Sequence, residues 1–197
     1  MYCLSLYYPV QNLPEHHPGC SPQPKIVTAQ KNLKISGFQT QICYFTGLMK
    51  VLIQRVRRAS VSIDNKIAGK IGTGFVVLLG ARTGDTSADT LKMAQKTCAL
   101  RIFPDHNNRM NLSIKDINGE ILVISQFTLY ADTRKGNRPS FIRAGNPDDA
   151  RKLYQEYIDA LKRELGSTRI QTGSFGADML VEISNDGPVT IELTTDI

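Results

Sequence analysis

The sequence has no tryptophan. Nowhere does it hold the ~18–20 apolar residues in a row that a membrane-spanning helix needs, so no helical span is expected. Histidine and cysteine are scarce: three and four residues in a chain of 197. Most of them sit at one end. His16, His17, Cys3, Cys20 and Cys43 all precede Met49, which leaves only His106 and Cys98 for residues 49–197. A lone thiol cannot close an internal disulfide, which fits a reducing cytoplasm. A lone histidine beside Asn107 and Asn108 reads as a surface-loop residue, and a cysteine on an apolar helix face reads as a small buried hydrophobe. Any catalysis here is therefore expected without a histidine triad or a conventional metal site.

Charge is the next scarcity. Residues 1–48 carry only Glu15, Lys25, Lys31 and Lys34, yet hold five of the nine prolines. Removing those three lysines and one glutamate from the chain's 24 basic and 18 acidic groups leaves a net +4 on residues 49–197. The front segment has no arginine, against a mitochondrial presequence, and nothing basic before its apolar Leu4–Val10 stretch, against a secretory signal. Its histidines and cysteines match no C-x2-C or H-x3–5-H spacing, so no metal site is expected there. Residues 1–48 are expected to be a dispensable extension, disordered or preceding the true start, with residues 49–197 as the single functional domain.

That unit reads as mixed strands and two helices. Met49–Ile63 alternates as extended structure, Asp64-Asn65-Lys66 turns, and a second strand follows around Ile67–Ile71. Phe75–Leu79 is continuously apolar, as a strand covered on both faces would be. Thr86 or Ser87 can cap a helix whose Leu91, Ala94, Cys98 and Ile102 recur at helical spacing and face the core. Glu120–Tyr130 reads as a further strand. Asn146-Pro147-Asp148-Asp149 opens a second helix, with Leu153, Tyr157, Leu161 and Leu165 along one face and Gly166 as its stop. Met179–Ile183 and Val189–Leu193 read as closing strands around an Asn185-Asp186-Gly187 hairpin turn. The absence of regular βαβ alternation argues for an α+β domain.

The motif inventory is thin. There is no G-x-S-x-G elbow, no H-E-x-x-H and no GKS/GKT phosphate loop. Gly69, Gly72 and Gly74 precede a strand where a dinucleotide fingerprint would open a helix, so that reading fails. Three segments carry possible chemistry. Ser125-Gln126-Phe127-Thr128 interrupts an apolar strand with three polar groups, either a strand leaving the core or a row of donors at the mouth of a pocket, and alternation assigns Ser125 and Phe127 to one face, Gln126 and Thr128 to the other. Arg134, Lys135 and Arg138 crowd a loop with Gly136 and Pro139, either merely solvated or contacting phosphates, with Phe141 near enough to stack on a base. Gly187-Pro188 offers two carbonyls and little bulk, suited to gripping a small polar ligand. On base rates that peptide bond is expected to be trans.

Taken together, "MKVLIQRVRRASVSID", "GKIGTGFVVLLG", "LRIFPD", "MNLSI", "GEILVISQFTLYADTRKGNRPSF", "FGADM" and "NDGPVT" resemble, in order and spacing, the D-aminoacyl-tRNA deacylases, also called D-tyrosyl-tRNA deacylases. The resemblance covers residues 49–197. It implies a mixed or antiparallel, barrel-like sheet with two main helices in one domain, and a homodimer with its active site at the subunit interface. It implies hydrolysis of the ester between a D-amino acid, or glycine on tRNA(Ala), and the tRNA 3′ end, as chiral proofreading in translation quality control. The family's Ser-Gln-x-Thr segment falls on Ser125, Gln126, Phe127 and Thr128. Its Gly-cisPro element falls on Gly187 and Pro188 and is implied to reach the partner's pocket, with Arg55 holding it. Phe175 and Ala177 match residues near the adenosine and aminoacyl site.

No cofactor and no metal are implied. The expected partners are tRNA and a second copy of the chain, with no DNA and no membrane, in the cytoplasm. An aminoacyl ester is already activated, so positioning by groups near Ser125–Thr128, with help from the tRNA 2′-OH, can suffice. The competing idea makes Thr128 a nucleophile, although no base is evident beside it. Readings of another class are a non-catalytic RNA-binding module using the Arg134–Arg138 loop and a dimeric scaffold. The intact mass of the natively expressed protein tests the reading of residues 1–48: a start at Met49 is expected, and a product beginning at Met1 would reject an earlier-than-true start.

Overall fold

The computed structural model describes residues 49–195. The expectations for residues 1–48 lie outside the described residues. Among the described residues, no helix is long and apolar enough to cross a membrane.

The chain enters through a long strand, β1 (Lys50–Ile63), turns at Asp64 and Asn65, both at positive φ, and returns as β2 (Lys66–Ile71). Strand β3 (Gly74–Gly80) pairs antiparallel with the first half of β1, and β2 pairs with the second half. Helix α1 (Ser87–Ala99) leads to a small ribbon, β4 (Arg101–Pro104) and β5 (Met110–Ser113). Strand β6 (Glu120–Ser125) then lies parallel to β3. Helix α2 (Pro147–Leu165) precedes the short β7 (Ile170–Thr172), parallel to β6, and β8 (Leu180–Thr194) pairs along the other edge of β1. The main sheet runs β2-β1-β3-β6-β7 with β8 added on β1, and it curls until β2 meets β6 and β7. Gly69 permits that closure: a Cβ there would stand 3.0 Å from the Thr172 carbonyl oxygen. The fold is the expected α+β, barrel-like mixed sheet with two helices.

Rolling the sheet gives it two buried faces. Val51, Ile53, Phe75 and Val77 face the helices, while Val56, Ala59, Val61 and Val76 pack inside the curl. Odd-numbered residues of β1 thus change sides between Ile53 and Ala59. A strand's faces alternate strictly unless a residue is added. The register of β1 on β8 breaks on both sides of Val56, and the break between Val56 and Arg58, which adds a residue to β1, accounts for the change. As the apolar run predicts, β3 is buried on both faces.

Both helix starts behave as their sequences dictate. The Thr86 hydroxyl accepts from the Asp89 amide at 3.3 Å and the Asp89 carboxylate accepts from the Thr86 amide at 2.8 Å, a capping box. Asn146 caps α2 through the Asp148 amide at 2.9 Å, with Pro147 at the first position. The helices meet over a buried hydrogen bond of 2.7 Å between Thr97 Oγ1 and the Tyr157 hydroxyl.

Three expectations are corrected. Leu91 is exposed and Ile102 falls on β4, past the end of the helix; α1 buries Thr90, Met93, Ala94, Thr97 and Cys98, a face rotated toward two threonines that hydropathy undervalues. The strand from Glu120 ends at Ser125, and Phe127–Tyr130 is a 3-10 turn. The closing hairpin does not exist: both halves pair with β1 in one direction, as a single strand. An Asp-Gly dipeptide signals a local reversal, but β1 offers a continuous edge to residues on both sides of it, and the ladder prevails.

Gly74 opposes Glu120 where β3 and β6 run parallel, and a Cβ on it would lie 1.8 Å from the Glu120 carbonyl oxygen. Gly74→Ala is expected to lower stability by about 3 kcal/mol or more in denaturant titration. Gly72→Ala, whose Cβ would meet only the Glu120 carboxylate at 3.4 Å, should cost under about 1 kcal/mol.

Candidate functional site

Parallel strands β3 and β6 end side by side, with Leu79 opposite Ser125. Carboxyl ends of adjacent parallel strands are where open α/β sheets bind ligands. Here they open into a pocket of about 400 Å³. Ser125 lines it together with the small or smooth residues Ala81, Ala144, Gly145, Pro147 and Ala150. Four aromatic side chains shape it: Phe127, Phe141, Tyr154 and Phe175. Phe127 and Phe141 meet edge to face at 5.1 Å, and Tyr154 tilts against Phe175 at 5.7 Å. The Arg151 guanidinium lies 4.9 Å from the Phe175 centroid, a cation–π contact that fixes that wall. The Tyr154 hydroxyl donates to the Val123 carbonyl at 2.9 Å and ties α2 to β6.

The 3-10 turn forms the rim. The Gln126 amide donates to the Leu79 carbonyl at 2.8 Å, the last bond between the two strands. The chain then departs, and the Tyr130 hydroxyl holds the turn down by donating to the Gly80 carbonyl at 3.0 Å. Ser125 and Phe127 line the pocket; Gln126 and Thr128 do not. The partition expected from strand alternation therefore survives although the strand has already ended. The exposed Thr128 hydroxyl contacts the Gln126 side-chain amide. Among the described residues, no imidazole, carboxylate or amine hydrogen-bonds it.

Gly187 and Pro188 lie elsewhere, on the surface of β8, and neither lines the pocket. Gln54 of β1 pairs with Thr190 and Val56 with Asn185, so residues 186–189 bow outward opposite Arg55 alone. The Gly187–Pro188 bond is cis, which overturns the base-rate expectation of trans and agrees with the family pattern. Gly187 has φ 127°, and a Cβ on it would meet Val189 Cγ2 at 2.8 Å and Arg55 Nη2 at 3.0 Å, so only glycine fits. Arg55, 9% exposed, supports the bow from below. Its Nε donates to the Asp186 carbonyl at 3.1 Å, and its Nη1 donates to the Ile102 carbonyl of β4 at 2.5 Å.

The basic loop divides its cations. Arg134 forks onto Asp132 (Nε to Oδ1 2.9 Å, Nη2 to Oδ2 2.5 Å), and Arg143 approaches the same carboxylate at 3.5 Å. Hydrogen bonds from Arg134 hold the Asp132 carboxyl well below the usual carboxylate range. Lys135 and Arg138 are exposed and form no ion pair among the described residues. Phe175 lines the pocket as matched, but its companion there is Gly176; Ala177 instead closes a turn through its amide to the Ser174 carbonyl at 3.3 Å. Tyr154 and Arg151 went unsingled in the sequence, because helical spacing gives one core position and one solvent position no further mark.

The remaining reactive groups are remote. His106 sits in an exposed loop against Asn107, as expected. Cys98 is buried, and desolvation pushes its thiol up to about 11. No three His, Cys, Asp or Glu residues cluster to hold a metal among the described residues.

A family model described as D-Tyr-tRNA(Tyr) deacylase matches residues 52–194. The chain is 53% identical over 143 residues to a D-aminoacyl-tRNA deacylase of Clostridium novyi (strain NT), covering 73% of this chain and 95% of that one. It is 56% identical over 143 residues to a D-aminoacyl-tRNA deacylase of Flavobacterium psychrophilum, with the same coverage. Among solved structures, a c-Myc DNA Unwinding Element Binding Protein superposes with a TM-score of 0.70 at 41% identity, over 73% of this chain and 97% of that one. A probable eukaryotic D-amino acid tRNA deacylase shares the fold, with a TM-score of 0.67 at 16% identity, over 75% of this chain and 99% of that one.

Arg55 yields a prediction independent of activity. Arg55→Met would strand two carbonyls below the bow and is expected to cost about 3 kcal/mol in denaturant unfolding. Arg55→Lys should recover less than half of that, because an ammonium lacks the fork that spans both carbonyls. A loss below about 0.5 kcal/mol in both variants would contradict the supporting role.

Proposed function

Because the chain belongs to the D-aminoacyl-tRNA deacylase family and is a hydrolase of that class, we propose that the aromatic pocket receives the 3′-terminal adenosine of tRNA and that a second copy of the chain completes the site. The observation that carries this reading is the separation of the two halves. The pocket with Ser125 and Phe127 lies at the ends of β3 and β6, whereas Gly187 and Pro188 are displayed outward on β8 and line no part of it. A homodimer brings one protomer's carbonyl pair to its partner's pocket, and a two-fold axis makes two such sites.

Phe127, Phe141, Tyr154 and Phe175 offer π-faces for the base, a contact that favours any purine held in a narrow apolar slot. The ester then lies over the rim. The opening amides of the 3-10 turn, Phe127 and Thr128, have no intrahelical acceptors and are the donors for the carbonyl oxygen as it becomes an oxyanion. Water attacks the carbonyl carbon, its proton passes through the neighbouring ribose 2′-OH to the departing 3′-oxygen, and D-amino acid and tRNA leave. Thr128 positions and does not attack; among the described residues its hydroxyl is bonded only by the Gln126 side-chain amide, which cannot take its proton.

Chirality is sensed by exclusion. The Gly187 and Pro188 carbonyls accept from the substrate's α-ammonium. A D side chain then points to solvent, while an L side chain collides with protein. Glycine has no side chain to exclude, so Gly-tRNA(Ala) is a substrate and the enzyme proofreads translation in the cytoplasm. Lys135 and Arg138 contact the tRNA backbone, and Arg134 braces their loop through Asp132. Residues 49–197 carry the whole activity, consistent with a family match confined to 52–194.

Deacylation of D-Tyr-tRNA and L-Tyr-tRNA by the pure protein tests this: release from the D-ester alone is expected, and efficient release from both would refute the exclusion mechanism. Thr128→Ala should retain at least about a tenth of kcat, whereas a nucleophilic threonine would lose on the order of 10³-fold or more. Lys135→Ala and Arg138→Ala should each weaken tRNA binding and reduce the salt slope by about 1.

A further inference from the structure

We infer that Asn185 is a positioning residue for the reaction, whose carboxamide closes the base of the 186–189 bow and so aims the Gly187 and Pro188 carbonyls. This rests on the reading that those carbonyls receive the substrate. Four residues of β8 stand opposite Arg55 alone, so the ladder does not fix where the bow begins and ends. Side chains must do so.

Arg55 and Arg57 grip only the outgoing limb, at Asp186. Arg55 Nε reaches its carbonyl at 3.1 Å and Arg57 Nε its carboxylate Oδ1 at 2.9 Å. Asn185 joins the two limbs. Its Oδ1 accepts the Val189 amide at 3.1 Å, and its Nδ2 donates to Thr190 Oγ1 at 3.3 Å. Pro188 has no amide hydrogen, so Val189 supplies the first N–H on the returning limb. Val189 is itself buried in the core below. The Asn185 bond therefore satisfies an amide that would otherwise stay unpaired and fixes where the chain rejoins the ladder. Without it the outgoing limb stays anchored while the returning limb shifts, and the carbonyls between them turn.

A carboxamide suits this task because it carries an acceptor and a donor at one reach. A carboxylate keeps the acceptor for the Val189 amide, and the Thr190 hydroxyl can reverse to donate. An alanine keeps neither. Asn185 touches no part of the adenosine pocket, so its loss should fall on kcat and on chirality, not on KM.

The experiment compares Asn185→Ala, Asn185→Asp, Thr190→Val and Pro188→Ala on D-Tyr-tRNA and L-Tyr-tRNA, with the thermal midpoint of each. Asn185→Ala is expected to lower kcat on the D-ester about 10–100-fold with KM within about twofold, and to narrow the D/L ratio about tenfold. Asn185→Asp should return to within about fivefold of wild type, and Thr190→Val should lose only about threefold. Wild-type kcat and D/L ratio in Asn185→Ala, with Pro188→Ala inactive, would overturn the inference alone. The same result with Pro188→Ala also unaffected would overturn the reading beneath it. A loss in which kcat, KM and thermal midpoint decline together, unrescued by Asn185→Asp, would overturn the positioning role. Should Asn185→Ala fail to fold, an unchanged kcat in Thr190→Val together with an inactive Asn185→Asp overturns it equally.

Discussion

The Arg55 guanidinium lies buried between two backbone carbonyls that belong to different parts of the chain: Ile102 on β4 and Asp186 on the bow of β8. A buried cation is costly unless its donors are satisfied, and one left unpaired costs more than the pair gains. That asymmetry makes Arg55 a constraint. It holds β8 where that strand leaves β1, it joins Val189 and the positive φ in requiring glycine at 187, and it ties the exposed carbonyl pair to the ribbon beside the core. The long strand β1 has to run unbroken past both halves of β8 for this to work, and its bulges near Val56 let it do so while burying apolar residues on either side.

The chemistry that follows needs little from the side chains. A deacylase acts on an ester that is already activated, so in the mechanism we propose the enzyme contributes orientation and charge stabilisation. The described residues offer the features for that: smooth aromatic walls, a short turn with unpaired amides, and a carbonyl pair on a braced bow. At the rim the Thr128 hydroxyl meets only the Gln126 side-chain amide, and no cluster of metal ligands forms among the described residues. The charge of the basic loop is similarly economical. Asp132 absorbs Arg134 to stiffen the loop, which leaves Lys135 and Arg138 toward solvent.

How far the sequence discloses this depends on the range of the forces involved. Local signals read true: Asp64-Asn65 turns, Thr86 and Asn146 cap, Gly166 stops α2, and Phe75–Leu79 is covered on both faces. Non-local pairing does not announce itself. Asp186-Gly187 has the letters of a hairpin, but the fate of those residues is decided by β1, some 130 residues earlier in the chain. Leu91 misleads because α1 buries Thr90 and turns Thr97 inward to meet Tyr157. Phe127 and Phe175, which the family resemblance singles out, line the pocket, whereas Tyr154, Arg151 and Asn185 become visible only when their partners are placed. Ala177 shows the converse: a motif neighbour that the pocket does not use.

If each active site draws on two chains, as we propose, subunit complementation will reveal it. One variant would keep the pocket and replace Gly187-Pro188 by Ala-Ala; the other would keep the bow and fill the pocket with Ala150→Trp. Each is predicted to be inactive alone on D-Tyr-tRNA. Refolded together in equal amounts, they should recover about a quarter of wild-type activity, since half of randomly paired dimers are mixed and each mixed dimer holds one intact site. No recovery from a mixture that demonstrably forms mixed dimers, or full activity in a wild-type monomer, would contradict the account.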